Sequence, residues 1–379
     1  MNTLGELRIS VSALRENAEA LRALVAPSLA AFVVKSNAYG HGLSDVALAI
    51  EPLATMICVY TIDEALALRD DGITRPILVL GPLPSDALAD ALNANLHITL
   101  WDTRAYVQSI TSVARSLHTT ANVHLKLNTG VNRYGLDPND LPDALEMYCH
   151  KPELRIAGIF SHLASAEEID SPYTEYQRGQ FVRALDAARG LLEARDLRPT
   201  RHLAASAAGM LYPQTRFDMV RFGIAIYGLW PSQAVRTALT DAGLHLRPAL
   251  SYTSTLAAVR EVAAGSAIGY GGTYHAPRAM RIGIVPLGYA DGIPRLLSNI
   301  GHFLVDGAHC PIVGRIAMNA TLLDLSAAPQ ARPGSPVTLI GTDGMLTVSA
   351  DDWANWAQTI NYEIVAALPT QLPRRFIDA

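Results

Sequence analysis

Near its N-terminus the chain reads Phe32-Val33-Val34-Lys35-Ser36-Asn37-Ala38-Tyr39-Gly40-His41-Gly42, an apolar run that meets a lysine and then a glycine-punctuated segment of mostly small residues. Lysine is scarce here, since only Lys35, Lys126 and Lys151 occur among the 30 lysines and arginines. Burial at the end of an apolar run lowers the pKa of a lysine amine and makes it nucleophilic, as Schiff-base chemistry requires. The alternative is a lysine that snorkels to water at a strand end.

This apolar run is the first of eight within the first 225 residues. They are Ala31–Lys35, Met56–Tyr60, Ile77–Leu80, His97–Leu100, Asn122–Leu127, Ile156–Ser161, Arg201–Ala204 and Met219–Ile224. Segments of helical period lie between them, among them Ser10–Val25, Asp63–Asp71, Thr103–Arg115 and Tyr173–Arg195. The alternation predicts an α/β fold with an N-terminal (β/α)8 TIM-type barrel over residues 8–239. A doubly wound sheet would also alternate, but eight units favour closure.

The sequence changes character after Pro231, where Val, Thr and Gly become frequent and turns lie close together. Predicted strands follow one another at Leu250–Val262, Ala279–Pro286, His302–Val305, Pro311–Ile316, Ala320–Leu325 and Pro336–Ile340. We therefore expect a mainly β C-terminal domain over residues 240–379, which residues 1–7 could join. One short helix is expected near Ala350–Thr359, with Trp353 and Trp356 in the core.

Composition excludes several classes of function. The net charge of -5 and the lack of a basic tract argue against nucleic acid and anionic membranes as partners. No apolar stretch approaches the roughly 20 residues of a spanning helix, and the N-terminus lacks a signal-peptide pattern, so a cytoplasmic location is expected. The isolated Cys58, Cys149 and Cys310 predict free core thiols rather than disulfides or a metal site.

Candidate functional residues lie at or near the ends of five predicted barrel strands. Lys35 ends the first, Lys126 lies near the end of the fifth, His162 follows the sixth, Ser206 follows the seventh, and Arg221 and Gly223 lie on the eighth. Active sites of such barrels gather at the C-terminal ends of the strands, so we expect these residues to converge on one rim. Ser206 and the backbone around Gly223 could hold an anion. Ser206 could equally be a helix N-cap, and Gly223 a packing glycine.

Nine segments resemble those of the alanine racemases, pyridoxal-phosphate enzymes of fold type III that are built from a barrel and a β domain. They are Val33–Gly42, Lys126–Gly135, Ser161–Ala166, His202–Ala208, Arg221–Gly228, Gly269–Tyr274, Pro286–Gly292, Gly314–Asn319 and Thr359–Glu363, in the family's order. The resemblance implies interconversion of L- and D-alanine with pyridoxal 5'-phosphate, in a homodimer with shared active sites. It also implies a role in supplying D-alanine for peptidoglycan.

The resemblance also implies a role for each matching residue. Lys35 would bind the cofactor and act as one proton-transfer base, and Tyr270 of a second subunit would be the other. Arg221 would face the pyridine nitrogen, and His162 with Arg221 would supply the positive charge that stabilises the Tyr270 phenolate. The remaining implied residues are Tyr39, Ser206, Gly223, Ile224 and Tyr362 for the phosphate, Arg133 and Met318 for the substrate carboxylate, a carbamylated Lys126, and Glu167, Tyr289, Arg295 and Arg315 for the substrate corridor.

Arg221 bears most directly on the reaction type. An arginine that is always charged keeps the pyridine nitrogen unprotonated, which weakens the ring as an electron sink and disfavours transamination. The chain departs from the family pattern at Asn128 and Asn319, where aspartates are common, and at Ala317, where cysteine or serine is frequent. These departures bear on rate and substrate breadth rather than on the reaction.

Three alternative functions remain open from sequence. A broader racemase would also accept serine, which is one hydroxyl larger than alanine. A fold-type III decarboxylase would need an acidic partner for the pyridine nitrogen and a cysteine donor, for which Cys310 is the only candidate after residue 240. A non-catalytic pyridoxal-phosphate carrier would lack the β domain and the Tyr270 segment.

Overall fold

The computed structural model describes residues 4–101 and 104–378, which fall into two compact units. The barrel unit comprises Ala13–Ser36 and Leu43–Arg247. The β unit comprises Met1–Ser12, Asn37–Gly42 and Pro248–Ala379. The β unit is therefore assembled from three separate pieces of chain, one of which directly follows the Lys35 segment.

The strands are numbered in chain order. They are β1 (Gly5–Ser10), β2 (Leu29–Val33), β3 (Met56–Val59), β4 (Ile77–Val79), β5 (His97–Leu100), β6 (Ala121–Lys126), β7 (Leu154–Phe160), β8 (Thr200–His202), β9 (Met219–Phe222), β10 (Leu250–Thr255), β11 (Ala258–Val262), β12 (Ala267–Ile268), β13 (Tyr274–His275), β14 (Met280–Val285), β15 (His302–Val305), β16 (Ala308–Pro311), β17 (Thr321–Asp324), β18 (Pro336–Asp343), β19 (Leu346–Val348) and β20 (Arg374–Ile377).

The helices are numbered in the same way. They are α1 (Val11–Val25), α2 (Lys35–Tyr39), α3 (Leu43–Ile50), α4 (Ile62–Asp70), α5 (Leu88–Asn93), α6 (Arg104–Ser116), α7 (Leu141–Cys149), α8 (Pro172–Ala194), α9 (Ser206–Leu211), α10 (Gln233–Asp241), α11 (Ala350–Ala357) and α12 (Asn361–Ala366). No helix within the described ranges is both long enough and apolar enough to cross a membrane.

The barrel unit is built on eight parallel strands in the order β8-β7-β6-β5-β4-β3-β2-β9. Single hydrogen bonds close the gap between β8 and β9, from Asp218 N to Arg201 O at 3.0 Å and from Arg221 N to Ala204 O at 3.1 Å. The predicted barrel is thus confirmed. Strands β3 and β4 are fully buried, as expected for parallel strands that are covered on both faces, whereas in β8 only His202 is buried.

All eight predicted barrel strands are present, with ends displaced by no more than two residues. The four predicted helical segments correspond to α1, α4, α6 and α8. The start of α4 shows how the sequence fixes a helix end. Thr61 Oγ1 accepts from Glu64 N at 3.3 Å, and the Glu64 carboxylate accepts from Thr61 N at 3.3 Å. This capping box satisfies two backbone donors that the first helical turn leaves without partners.

The β unit contains a seven-stranded sheet, a three-stranded sheet β11-β14-β17 and the short pair β12-β13. The seven-stranded sheet has the order β16-β15-β18-β10-β1-β20, with β19 paired to β18. Its first and last strands in the chain are neighbours, since β1 pairs in parallel with β20, with Leu7 opposite Arg374. The mainly β character predicted from sequence is confirmed.

Three details of the β unit differ from the prediction. The expected strand Leu250–Val262 is two strands, β10 and β11, which belong to different sheets. The expected strand Pro311–Ile316 is wrong, because Gly314 has φ +76° and lies so close to the Ile268 carbonyl that a Cβ would be 2.6 Å from its oxygen. A second helix, α12, follows the predicted helix near Ala350–Thr359, which is confirmed as α11.

The remaining core predictions are only partly correct. Trp353 is fully buried and donates its indole N–H to Leu339 O at 3.1 Å, whereas Trp356 is only half-buried and its ring lies 4.6 Å from that of His302. All three cysteines are free. Cys58 and Cys310 are buried, but Cys149 is not, so it is not a core thiol.

Candidate active site

Lys35 lies two residues beyond the end of β2 rather than on it. It opens α2, in which Ser36, Asn37, Ala38 and Tyr39 have φ between 52° and 54°. This is a single left-handed turn of non-glycine residues, a conformation that costs about 1–2 kcal/mol per residue. Such conformations persist only where surrounding contacts enforce them, and they cluster at functional sites. The sequence carries no local signal for this turn.

Hydrogen bonds hold the backbone on each side of Lys35. Ser36 N donates to Glu64 Oε1 at 2.5 Å, and the other carboxylate oxygen accepts from Tyr60 N at 2.9 Å. Before it, Val34 N donates to Cys58 O at 2.8 Å. The Lys35 amine thus projects from a backbone that is fixed to β3 and to the start of α4.

The pKa of Lys35 is lowered, first by burial and second by the positive charge of Arg133, while Glu64 acts in the opposite direction. Its Nζ lies 5.9 Å from the centre of the Tyr60 ring. Both lowering effects favour the neutral, nucleophilic amine that the sequence predicts.

Lys126 is the last residue of β6 and is buried at 8% exposure. Burial lowers its pKa to about 8, with further lowering from Arg133, Arg221 and Lys35. Its Nζ lies 5.5 Å from the centre of the Tyr134 ring and 5.6 Å from that of Phe160. Four cationic side chains therefore share this rim of the barrel, which is an environment suited to anions.

The loop after β6 folds back on itself and carries Arg133. Asn128 N donates to Leu136 O and Leu136 N donates to Lys126 O, both at 2.8 Å. The Asn128 amide oxygen accepts from Asn132 N at 2.9 Å, and its NH₂ group donates to Asn132 Oδ1 at 3.0 Å. The departure from aspartate at position 128 thus keeps the loop closed without adding negative charge near Arg133.

Arg221 lies on β9 and is 4% exposed. Its guanidinium donates to Ser161 O at 2.7 Å, to His202 O at 3.0 Å and to Leu203 O at 3.1 Å. It also donates to His202 Nδ1 at 2.7 Å and lies 5.2 Å from the centre of the Phe160 ring. Burial lowers its pKa only to about 10, so it remains charged at pH 7.

His162 does not share that positive charge. Burial and the neighbouring cations, led by Arg221, lower its pKa to about 3, so the ring is neutral at pH 7. Within the pair of His162 and Arg221, the positive charge therefore resides on Arg221. The His162 ring instead lies with Nδ1 3.5 Å from the Arg221 guanidinium.

Ser206 and Gly223 are brought together, although 17 residues separate them in the chain. The Ser206 hydroxyl accepts from Gly223 N at 3.0 Å. Ser206 is the first residue of α9 and Ala205 is the cap, so the N-cap interpretation of Ser206 does not hold. Ile224 begins the short 3-10 turn that follows. These groups form a small polar cradle at the ends of β8 and β9.

Other predicted site residues lie in the β unit. The rings of Tyr39 and Tyr362 are 6.3 Å apart. Tyr270 stands between two glycines with φ +74° and is 72% exposed. Tyr289 N donates to Ala317 O at 3.0 Å, which places Tyr289 next to the Met318 segment.

The corridor residues show fewer contacts. Arg315 lies near the Tyr270 turn, since a Cβ at Gly271 would be 3.2 Å from its Nη1. Arg295 opens a short 3-10 turn in the β unit. Glu167 is in the barrel unit, where burial raises the pKa of its carboxyl group. Among the described residues the structure does not bring Glu167 into contact with Lys35, Lys126 or Arg133.

Several residues of the site are not found by sequence reasoning. Tyr60 and Tyr134 hydrogen-bond to each other beside Lys35 and Lys126. Phe160 stacks on His202 with ring centres 4.7 Å apart and an interplanar angle of 4°. Tyr60 and Phe160 are aromatic residues at or next to the end of a barrel strand, a signal that is common in buried cores, and Tyr134 lies in the loop after β6 without that signal.

Comparison with known proteins finds one family over both units. The model of the alanine racemase N-terminal domain matches residues 9–231, and that of the C-terminal domain matches residues 249–376. An alanine racemase from Desulfosudis oleivorans is 37% identical over 383 residues, covering 97% of this chain and 95% of that protein. One from Streptococcus suis is 39% identical over 375 residues, covering 98% of this chain and 97% of that protein.

Similar solved structures are also alanine racemases. Alanine racemase from a D-cycloserine-producing Streptomyces lavendulae has a TM-score of 0.93 at 33% identity, covering 100% of this chain and 98% of that one. The alanine racemase from Bacillus anthracis with bound L-Ala-P has a TM-score of 0.91 at 32% identity, covering 100% of this chain and 96% of that one.

Proposed function

The chain belongs to the alanine racemase family, and from this we propose that it interconverts L- and D-alanine with pyridoxal 5'-phosphate, using Lys35 and Tyr270 as its two bases. The observation that carries the proposal is the amine of Lys35, whose pKa is lowered by burial and by Arg133 at the rim of the barrel. Membership of this family supports an isomerase that acts on alanine, whereas the role of each residue is our proposal.

The residues at the barrel rim fit this cofactor. Its phosphate and phenolic oxygens are anionic, and the rim gathers Lys35, Lys126, Arg133 and Arg221. The Ser206 hydroxyl and the backbone N–H of Ile224 are donors of the kind that hold a phosphate. The Gly223 N–H donates to Ser206 Oγ here and would turn to the phosphate of the bound cofactor. In the β unit, the hydroxyls of Tyr39 and Tyr362 are the further phosphate donors that we propose.

When bound, pyridoxal phosphate supplies the electron sink that makes the substrate Cα–H acidic. Arg221 would donate to the pyridine nitrogen while its own charge keeps that nitrogen unprotonated. Arg133 would bind the substrate carboxylate in bidentate fashion, assisted by the Met318 backbone. Lys35 would move the proton on one face of the substrate Cα.

Racemisation needs a second base on the opposite face, and Tyr270 is the group that we propose for it. A free tyrosine has a pKa of about 10, so it needs a nearby positive charge to act as a base. We propose that Tyr270 reaches the site of a second subunit in a homodimer, where Arg221 is the charge that stabilises its phenolate. Its exposure of 72% on a glycine-flanked turn supports this, because such a side chain is available to a partner.

The decarboxylase alternative is not supported by the residues that it would need. The group proposed to face the pyridine nitrogen is an arginine rather than an acid. Cys310 is buried in β16, and burial raises its pKa to about 12, which makes it a poor proton donor. A carrier without catalysis would have no use for Tyr270.

The proposed function is tested by incubating the protein and pyridoxal phosphate in D2O with L-alanine or with L-serine. We expect deuterium to enter Cα of alanine while the mixture approaches equal D and L enantiomers, with serine much slower. Comparable rates would indicate a relaxed pocket, with Asn128 and Asn319 as the first residues to revert to aspartate. No exchange with either amino acid would contradict the proposal. A role in peptidoglycan supply would be tested by D-alanine auxotrophy of a deletion strain.

We further propose that Lys126 is carbamylated. Only the neutral amine adds CO2, and the pKa of about 8 makes a substantial neutral fraction available at pH 7–8. The neighbouring cations that lower this pKa would stabilise the resulting anion and let it orient Arg133.

Carbon-13 NMR of protein equilibrated with labelled bicarbonate is expected to show one carbamate signal, which Lys126→Gln removes. Lys151→Gln is the matched control, because Lys151 is the one lysine of the chain outside the cationic rim. A signal that survives Lys126→Gln would contradict the assignment.

A further inference from the structure

Three histidine rings form a continuous hydrogen-bonded chain through the interior of the barrel and end on Arg221. His97 Nδ1 lies 2.9 Å from His124 Nε2, and His124 Nδ1 lies 2.9 Å from His202 Nε2. His202 Nδ1 then lies 2.7 Å from the Arg221 guanidinium. His97 is the first residue of β5 and His202 the last of β8, so the chain runs from the amino end of the sheet toward the rim.

Neighbouring residues restrict the orientation of the three histidine rings. His124 and His202 are at most 1% exposed, and His97 is half-buried. A Cβ at Gly158 on β7 would lie 2.2 Å from His124 Nδ1, so only glycine leaves room for the ring at that position. Phe160 stacks on the His202 ring with an interplanar angle of 4°. The rings therefore have little freedom to turn.

Arginine sets the direction of every hydrogen bond in this chain. A guanidinium can only donate, so His202 Nδ1 must accept and its ring proton must reside on Nε2. That N–H donates to His124 Nδ1, which places the His124 proton on Nε2 as well. The same reasoning carries to His97, whose Nδ1 accepts from His124. All three rings are thereby assigned the same neutral tautomer.

The chain works only while all three rings are neutral, because a second proton on any ring would set two N–H groups against each other. His124 faces His97 and His202, and His202 faces Arg221. Burial, and then the positive charges of Arg155 and Arg69, lower the pKa of His97 to about 4. Burial also lowers the pKa values of His124 and His202 well below their usual range.

We propose that His97 is a positioning residue for Arg221: as the last acceptor of the chain it satisfies the His124 N–H in the tautomer that Arg221 requires, and so helps to hold the His202 ring that the guanidinium touches. This rests on the proposed role of Arg221 in the reaction. Without an acceptor at position 97, the Nε2–H of His124 would be left buried without a partner. His124 could then take the other tautomer, with its N–H toward His202 Nε2. His202 would have to carry its own proton on Nδ1 in response, and its ring would no longer accept from Arg221.

The test compares His97→Asn with His97→Leu. The asparagine Oδ1 occupies the place of Nδ1 and can accept, whereas leucine has similar bulk and cannot. In cofactor-free protein with ¹⁵N-labelled histidine, we expect His124 and His202 to show the Nε2–H tautomer in the wild type and in His97→Asn. In His97→Leu we expect a mixture at His124.

Activity provides the second readout. His97→Leu leaves the buried Nε2–H of His124 without an acceptor, which is expected to lower kcat/KM for alanine by about 10-fold. His97→Asn should stay within about 2-fold of wild type. An equal loss in both variants with unchanged tautomers would overturn the proposal, as would an Nδ1–H tautomer at His202 in the wild type. A wild-type protein with the expected tautomers that does not racemise alanine would instead overturn the proposed function of the chain.

Discussion

Replacing Lys35 with alanine is expected to lower kcat/KM for alanine racemisation by about 10⁴-fold, the upper end of what one acid–base group contributes, because this residue also holds the cofactor. The folded structure should survive, because burial already penalises the ammonium form of Lys35 and its removal relieves that penalty. Circular dichroism and thermal melting would check this. Lys151→Ala is the matched control and should retain full activity.

Subunit exchange tests whether the site is shared between two subunits. Mixing inactive Lys35→Ala protein with inactive Tyr270→Phe protein produces mixed dimers, each with one site in which both residues are intact. After full exchange about half of the dimers are mixed, so about a quarter of wild-type activity should return. If no activity returns although exchange is verified with differently tagged subunits, Tyr270 does not act across a dimer.

Acidification is expected to unfold the protein between about pH 6.5 and pH 4. Five histidines have pKa values lowered mainly by burial: His41 and His97 to about 4, His162 to about 3, and His124 and His202 well below their usual range. The unfolded chain binds a proton at each of them below pH 6.5, whereas the folded chain does not until about pH 4. The free energy of unfolding therefore falls as the pH is lowered through this range.

The size of this effect is large for a protein of ordinary stability. Each of His41 and His97 would contribute on the order of 3 kcal/mol to the difference between neutral pH and pH 4. Urea unfolding followed from pH 7.5 to pH 4.5 would measure this effect. His97→Asn removes one of the five histidines, so the free energy of unfolding should then depend less steeply on pH. A free energy of unfolding that is constant over this range would contradict the burial of neutral histidines.

The barrel is predictable from sequence because buried parallel strands such as β2, β3 and β4 are apolar along their length. The polar strand β8 is an exception. The cationic rim follows from that pattern, because residues that end such strands meet at one edge. The turn at Ser36–Tyr39 is not predictable, because four non-glycine residues with positive φ have no local preference for that conformation and are held there by contacts distant in sequence.

The hydrogen-bonded chain of three histidines cannot be predicted from the sequence, for a different reason. His97, His124 and His202 lie on three strands, at the first, fourth and last positions, and no period of the sequence relates them. Only the stagger of neighbouring strands and the space at Gly158 bring their rings into line. The charge state of His162 cannot be predicted from the sequence either, because it depends on burial and on cations from other strands.

The position of β1 between β10 and β20 has a consequence for synthesis on the ribosome. β1 emerges long before its parallel partner β20, because Leu7 and the opposite residue Arg374 are far apart in the chain. At translation rates of about 5–20 residues per second, β1 waits tens of seconds with an open hydrogen-bonding edge before Arg374 is made. Strand edges of this kind can pair with other chains. Slow elongation late in the message should therefore increase aggregation of nascent chains and their dependence on chaperones.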